Sequence, residues 1–174
     1  VMALATNFKP TKTFGTRRMP TAAERVEVEK LVIAEFAKNK VTAKQPLRSH
    51  NLTALDIDND GKIEFVGSYW VATAKAERAL LFFIADKVRE NKLSIAFSDF
   101  ASYTPDEVMS GEIEALDQGI YNELLLDVMD YNNDGVAEIF TYTQAFEGAG
   151  FTAYQRNEGV WEKAVETSNY HCGY

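Results

Sequence analysis

The chain has 174 residues, of which 46% are hydrophobic and 25% charged, and its formal net charge is -8. This composition excludes a chain that is disordered throughout, and the length suits one domain or two small modules that share a core. The acidic balance excludes nucleic acid as the main partner, because phosphate binding needs a basic face. No apolar run approaches the roughly 20 residues that a membrane span needs, so we expect no membrane span.

Residues 1–20 predict an extended N-terminal arm with no partner inside its own chain. The arm contains Pro10, Gly15 and Pro20 and has no clear hydrophobic period. It has four basic residues and no acidic one, so it carries +4 while the remainder carries -12, which together give -8. Such a segment could add a strand to the sheet edge of a second copy, and its charge would steer the encounter. The alternative is an ordinary free chain end.

A helix is predicted next, within segment 21–40. Thr21 and Glu24 have the spacing of a capping box. In this motif the threonine side-chain oxygen accepts a hydrogen bond from the glutamate N–H, and the glutamate carboxylate accepts one from the threonine N–H. Val28, Leu31 and Val32 follow at helical spacing. We therefore expect an amphipathic helix over residues 22–38.

From Asn51 the apolar period changes to two, which indicates strands. The pattern predicts a four-stranded antiparallel meander within residues 41–103 and a second one within residues 121–174. The connecting segment 104–120 opens on Thr104 and Pro105, which is a helix-start signature.

An acidic loop recurs in the two modules at a constant offset of 74 residues, which indicates an internal duplication. The matching positions are Asp56, Asp58, Asp60, Gly61 and Glu64 in the first loop, and Asp130, Asn132, Asp134, Gly135 and Glu138 in the second.

Loops of this composition are typical of sites for a hard cation, and their several carboxylates favour Ca²⁺ over Mg²⁺. We expect two Ca²⁺ sites, each formed by four side chains and one backbone carbonyl. The expected ligands are Asp56, Asp58, Asp60, Glu64 and the Lys62 carbonyl in the first loop, and Asp130, Asn132, Asp134, Glu138 and the Val136 carbonyl in the second. The second loop has one carboxylate fewer, which predicts the weaker site unless the nearby Asp127 contributes. The alternative is that both are Asp/Asn/Gly turns that bind no metal.

The helix–loop–helix calcium motif is excluded, because Gly67 and Thr141 stand where that motif needs a bidentate acid at the twelfth loop position. The motif D-x-D-x-D-G-x-x-E, followed by a strand, instead resembles the FG-GAP/VCBS repeat over about residues 49–100 and 121–166. That resemblance implies blades of the integrin β-propeller type, with Ca²⁺ in a stabilising role. Two blades are too few to close a ring. The expected fold is therefore mainly β (α+β), with two tandem blade-like meanders and one N-terminal helix.

No phosphate loop, G-x-S-x-G or H-E-x-x-H motif is present, and we expect a protein that is not an enzyme. His50 beside the first loop is expected to be a strand residue, and His171 lacks a third group that would make a nucleophile pair with Cys172. The single cysteine excludes an intrachain disulfide, so Cys172 is expected to form an interchain bond or to be buried.

The function expected from these features is that of an extracellular calcium-binding structural or adhesive protein. Its location would be secreted, periplasmic or cell-surface, with a leader upstream of Val1, because weak calcium sites stay filled only outside the cytosol. The expected partners are further copies in an oligomer or filament, a carbohydrate, or a cell-surface protein. The alternative is a carbohydrate-binding or accessory module of a larger secreted enzyme, which would use exposed aromatic side chains.

Overall fold

The fold is mainly β, as the sequence predicts, and the computed structural model describes residues 16–42, 46–88 and 92–170. The elements, in chain order, are β1 (Arg17–Arg18), α1 (Ala22–Lys38), β2 (Arg48–Leu55), β3 (Glu64–Ala74), β4 (Glu77–Val88), β5 (Lys92–Tyr103), two 3₁₀ helices (Pro105–Glu107 and Ile113–Gln118), β6 (Glu123–Met129), β7 (Glu138–Gln144), β8 (Gly148–Asn157) and β9 (Val160–Tyr170). His171, Cys172 and the connection 89–91 lie outside the described residues.

The strands form two antiparallel meanders. The first sheet has the order β1-β2-β3-β4-β5 and the second has the order β6-β7-β8-β9. Within the described residues neither sheet closes into a barrel. The second sheet has the four strands that the sequence predicts, whereas the first has a fifth because β1 pairs with β2.

The expectation of an arm without an intrachain partner is wrong for its last residues. Arg17 and Arg18 pair with Leu55 and Ala54 at the open edge of β2. The Arg17 guanidinium also lies 3.0 Å from Asp127 of the second sheet. Both arginines are therefore held by backbone pairing, and Arg17 is held in addition by a carboxylate that lies far away in the sequence. Residues 1–15 lie outside the described part of the chain.

The helix prediction is confirmed. Thr21 Oγ1 accepts a hydrogen bond from the Glu24 N–H at 3.3 Å, and the Glu24 carboxylate accepts one from the Thr21 N–H at 2.8 Å. The Arg18 guanidinium beside Glu24 lowers the pKa of that carboxyl to about 2. One face of α1 is fully buried against the first sheet through Val28, Val32 and other apolar side chains.

Strand β3 is buried on both faces, as its two apolar faces predict. Phe65, Tyr69 and Val71 join the core beneath α1. Val66, on the opposite face, joins a second core that lies between the sheets. The first sheet is thus the middle layer of the molecule.

The core between the sheets unites the two modules. It contains five residues from the first module and four from the second, all with exposures below 5%: Leu55, Ile57, Val66, Phe82, Ile84, Ala137, Ile139, Tyr154 and Trp161. The Tyr154 ring stacks on Phe82, with centroids 5.2 Å apart, and meets the edge of Phe97 at 4.9 Å. Most of the aromatic side chains therefore pack in cores. The modules fold against one another rather than separately.

The connecting segment covers the end of the first sheet. The predicted helix start at Thr104 is confirmed, although the helix is a single 3₁₀ turn, Pro105–Glu107. Leu116 of the second 3₁₀ helix is buried against Trp70. The Asp117 carboxylate holds the Arg78 guanidinium at 2.6 Å. Among the described residues, no helix combines the length and the apolar character needed to cross a membrane.

Candidate metal centre

Each acidic loop joins the first long strand of its module to the second. Residues 56–63 connect β2 to β3, and residues 130–137 connect β6 to β7. The second strand begins at Glu64 in one module and at Glu138 in the other, so the offset of 74 extends from the sequence to the fold. It is lost at the next strand, because β4 begins at residue 77 and β8 at residue 148, a difference of 71.

The first loop is curled by hydrogen bonds from its own amides to its acidic side chains. These bonds run from the N–H of Gly61 to Asp56 Oδ2 (3.2 Å), of Asp60 to Asp58 Oδ1 (3.2 Å), of Lys62 to Asp60 Oδ1 (2.7 Å) and of Ile57 to Glu64 Oε2 (3.1 Å). Four side chains thus organise the backbone of one short loop.

The second loop has the same four bonds at positions shifted by 74. They run from the N–H of Gly135 to Asp130 Oδ2 (3.0 Å), of Asp134 to Asn132 Oδ1 (2.8 Å), of Val136 to Asp134 Oδ1 (2.8 Å) and of Tyr131 to Glu138 Oε2 (2.9 Å). The two loops therefore have one architecture, and the asparagine at the third position preserves it.

The curl also requires left-handed backbone at two points in each loop. Gly61 and Gly135 have φ of 81° and 95°, and the preceding Asn59 and Asn133 have φ of 57° and 62°. Glycine and asparagine are the residues that adopt this conformation at least cost. The sequence therefore indicates the curl as well as the ligands.

Three carboxylates of the first loop converge. Asp56, Asp58 and Glu64 each present an oxygen within 4.8 Å of the others. Asp56 Oδ1 is buried and has no hydrogen-bond partner among the described residues. Asp60, the fourth expected ligand, instead binds the Lys62 ammonium with its second oxygen. An unpartnered buried carboxylate oxygen beside two further carboxylates fits a hard, oxygen-seeking cation.

The second loop is arranged around Asn132. Its amide nitrogen donates to Glu138 Oε1 at 2.8 Å and to Asp134 Oδ2 at 3.0 Å. The side-chain amide thus links two carboxylates, both of which are expected ligands. Asp130 and Glu138 are almost fully buried. Among the described residues, three carboxylates converge closely enough to hold a metal ion in the first loop and not in the second.

Burial and crowding affect the protonation of both loops. Burial is the main cause that raises the pKa of Glu64 to about 7; the Ile57 N–H opposes this shift, and the nearby carboxylates of Asp58, Asp86 and Asp60 add to it. Burial likewise raises the pKa of Glu138. Both carboxyls would therefore gain from a positive charge placed between them and their neighbours.

Three residues of the second sheet and of β4 adjoin the first loop, and sequence patterns do not identify them. The Arg156 guanidinium of β8 lies 2.5 Å from Asp58, and it lies 3.9 Å from Asp86 of β4. The Trp161 indole N–H donates to Asp86 Oδ2 at 2.9 Å. The only trace in the sequence is an acid that ends the apolar run ALLFFIAD, since a charge beside a buried strand usually has a partner.

A cleft lies beside the core between the two sheets. Its inner part has a volume of about 180 Å³ and its outer part about 450 Å³, and the two parts share Asp99, Glu123 and Thr143. The Lys163 ammonium lies in it, 2.9 Å from Asp99. Burial raises the pKa of Glu123, whose carboxylate accepts a hydrogen bond from the Tyr154 hydroxyl at 2.8 Å.

His50 is a residue of β2, as expected. Its ring stacks on Trp70 with centroids 6.2 Å apart, and Nε2 lies 3.3 Å from the Leu116 carbonyl oxygen. Burial lowers the pKa of His50. These contacts place it in the packing of the connecting segment and away from the acidic loops.

Comparison with known proteins finds no match among protein-family models, among curated proteins or among solved structures.

Proposed function

We propose that this protein is a calcium-binding structural protein in which one Ca²⁺ in each acidic loop fixes the junction between two strands. The observation that carries the proposal is the pair of loops with four equivalent side-chain-to-amide hydrogen bonds each. A turn that serves only to reverse the chain does not need three converging carboxylates, one of them with an unpartnered buried oxygen.

The position of the loops supports a stabilising role. Ile57 and Ala137, which lie within the first and second loop, are both fully buried in the core between the sheets. A cation that orders either loop would therefore also fix a core residue. A ligand that binds only the folded state stabilises it by about 2.7 kcal/mol at a hundred times its Kd.

Calorimetric titration of the chelator-treated protein with Ca²⁺ tests the proposal. We expect two binding events, and we expect a thermal midpoint that rises with calcium concentration and falls on chelation. Asp56→Asn and Asp130→Asn should each remove one binding event, since each replaces the carboxylate that accepts a hydrogen bond from the N–H of the loop glycine. Asp106→Asn, an exposed acid outside the loops, is the matched control. The absence of binding heat at millimolar Ca²⁺ would contradict the proposal.

We also propose that each module is a blade of the FG-GAP/VCBS type. The acidic loop between the first two strands and the four-stranded meander that continues from it support this assignment. An extracellular location, where calcium is abundant, and an adhesive role follow from the same proposal.

The cleft between the sheets favours carbohydrate binding as a second candidate function. Ligand pockets commonly enclose about 300–1,000 Å³, and the outer part of the cleft falls in this range. Its lining combines carboxylates with the hydroxyls of Thr152, Thr167 and Ser168, and Tyr103 and Tyr121 stack at the inner end with centroids 5.4 Å apart. Carboxylates and hydroxyls for hydrogen bonds, beside aromatic rings, are the groups that sugars require.

Titration of ¹⁵N-labelled protein with cellobiose and with chitobiose tests this second function. Binding should shift the amide signals of Gly150 and Thr152, which line the outer cleft, and Thr152→Val should weaken it. Signals that remain fixed at millimolar concentrations of both sugars would exclude the cleft as a site for these disaccharides.

A further inference from the structure

Arg156 brings a positive charge from the second sheet into the first acidic loop. Its Nη2 lies 2.5 Å from Asp58 Oδ2, and both side chains are about four-fifths buried. The guanidinium also lies over the Trp161 ring, 5.8 Å from its centroid. The packing of β8 and β9 therefore holds the arginine in place.

This ion pair competes with a cation in the loop. Asp58 is one of the three carboxylates that converge. A Ca²⁺ bound by Asp56, Asp58 and Glu64 would therefore bind a carboxylate that already accepts a hydrogen bond from the guanidinium. Two positive charges on one carboxylate, in partly buried surroundings, repel strongly. A Ca²⁺ in the first loop is therefore opposed by the guanidinium for as long as Arg156 stays on Asp58.

A second partner for Arg156 is already within reach. Arg156 Nη1 lies 3.9 Å from Asp86 Oδ2, which accepts the hydrogen bond from the Trp161 indole. Asp86 Oδ1 is buried and has no hydrogen-bond partner among the described residues. A buried carboxylate oxygen without a partner is costly, and a guanidinium is the donor that would satisfy it best. Asp86 thus offers the position that the arginine takes when it leaves Asp58.

The second loop lacks this competitor. Across residues 16–42, 46–88 and 92–170, no ion pair joins a basic side chain to Asp130, Asp134 or Glu138. The neutral Asn132 stands at the position of Asp58. The first loop has one more carboxylate, but Arg156 offsets its charge.

We propose that Arg156 is an intramolecular counter-ion which sets the calcium affinity of the first loop, and that calcium binding transfers it from Asp58 to Asp86. This inference rests on the proposed calcium function. It makes the second sheet a regulator of the first loop, and it reverses the order of affinity that counting carboxylates predicts. The second loop should fill first.

The test measures calcium affinity in an Asp130→Asn background, in which only the first loop binds. Arg156→Gln should tighten binding at least tenfold because it removes the competitor. Arg156→Lys keeps the charge but loses the paired nitrogens, so its calcium affinity should lie between that of the Arg156 protein and that of Arg156→Gln. A thermal unfolding curve in chelator shows whether each variant is folded.

Asp86→Asn should have the opposite effect to Arg156→Gln. It removes the second partner of Arg156, so calcium binding should weaken several-fold. In the Arg156→Gln background the same substitution should have a much smaller effect, because the two residues act as a pair. A purely long-range effect of the Asp86 charge would be equal in both backgrounds, and equality would overturn the transfer.

The outcomes separate the inference from the function. If Arg156→Gln leaves affinity unchanged or weaker while Ca²⁺ still binds, the inference is overturned and the calcium function stands. If no variant and not even the unaltered protein binds Ca²⁺, the function itself fails. If Arg156→Gln does not fold, Asp86→Asn in the otherwise unaltered Asp130→Asn background decides the question: weaker calcium binding supports the transfer, and unchanged binding overturns it.

Discussion

Glu64 combines burial, negative neighbours and a predicted role as a ligand in one carboxyl group. Its pKa of about 7 means that the proton and a cation compete for it near neutrality. The folded-state pKa is raised, so in the absence of calcium Glu64 favours folding at pH values below its unfolded pKa. That contribution is lost as the pH rises through about 7. Calcium would reverse the trend, because it needs the ionised form.

Calcium binding by the first loop should therefore depend on pH. Between pH 8 and pH 6 we expect the affinity to fall roughly tenfold, because one proton must leave Glu64 on binding. Calorimetry on the Asp130→Asn variant at a series of pH values measures this. An affinity that does not change between these pH values would show that Glu64 is not a ligand.

The buried Tyr154 hydroxyl should contribute measurably to stability. It donates to the Glu123 carboxylate, and its ring packs on Phe82 in the core between the sheets. Tyr154→Phe keeps the ring but removes one of two hydroxyl donors to the half-buried Glu123 carboxylate, since Thr141 Oγ1 also donates to it. The loss of one hydrogen bond should cost about 1 kcal/mol in urea unfolding. Tyr131→Phe, on a partly exposed ring, is the control and should change stability little.

Among the elements, α1 has the simplest relation between sequence and packing. Val32, on the face of α1 that packs on the first sheet, is fully buried, whereas its neighbour Ile33 is half exposed. Val32→Ala should destabilise the protein by about 2 kcal/mol through a cavity in the core, and Ile33→Ala should cost less than about 1 kcal/mol. Urea unfolding of this adjacent pair measures the difference. Equal losses would contradict the docking of this face.

The sequence predicts the helix and the loops because their determinants are local. The capping box of Thr21 and Glu24 and the glycine at the sixth loop position act within a few residues. The contact of Arg156 with Asp58 and the pairing of β1 with β2 could not be predicted. Both depend on how the two sheets pack, and no periodicity in one strand encodes a partner in another module.

The orientation of individual ligands was equally beyond the sequence. Asp60 and Asp134 occupy equivalent positions, yet one binds the Lys62 ammonium and the other accepts from the Asn132 amide. Such choices depend on the neighbouring side chain, whereas the shared bonds to the loop amides follow from the repeated motif. The architecture of the site was predictable, and its local charge balance was not.

For the whole molecule, we propose that copies assemble through residues 1–15. Deletion of residues 1–15 alone tests this without disturbing the fold, because the Thr16 carbonyl accepts from the Asp56 N–H at 3.1 Å and Arg18 binds Glu24. Light scattering should show oligomers of the full chain dissociating to monomers after the deletion.

A full-length variant with Lys9 and Lys12 replaced by Gln is the matched control. It keeps the length for strand pairing but lowers the charge, so assembly should become slower rather than disappear. An unchanged particle size after the deletion would show that the arm takes no part in assembly.

A backbone hydrogen bond joins the two acidic loops, and through it the order of one loop should affect the order of the other. The Ala137 N–H donates to the Ile57 carbonyl oxygen at 2.7 Å, and each residue stands beside expected ligands of its own loop. A cation that orders one loop removes part of the entropy cost of ordering the other, and by linkage the reverse holds equally. Calcium should therefore bind cooperatively, and disabling either loop should lower the affinity of the one that remains.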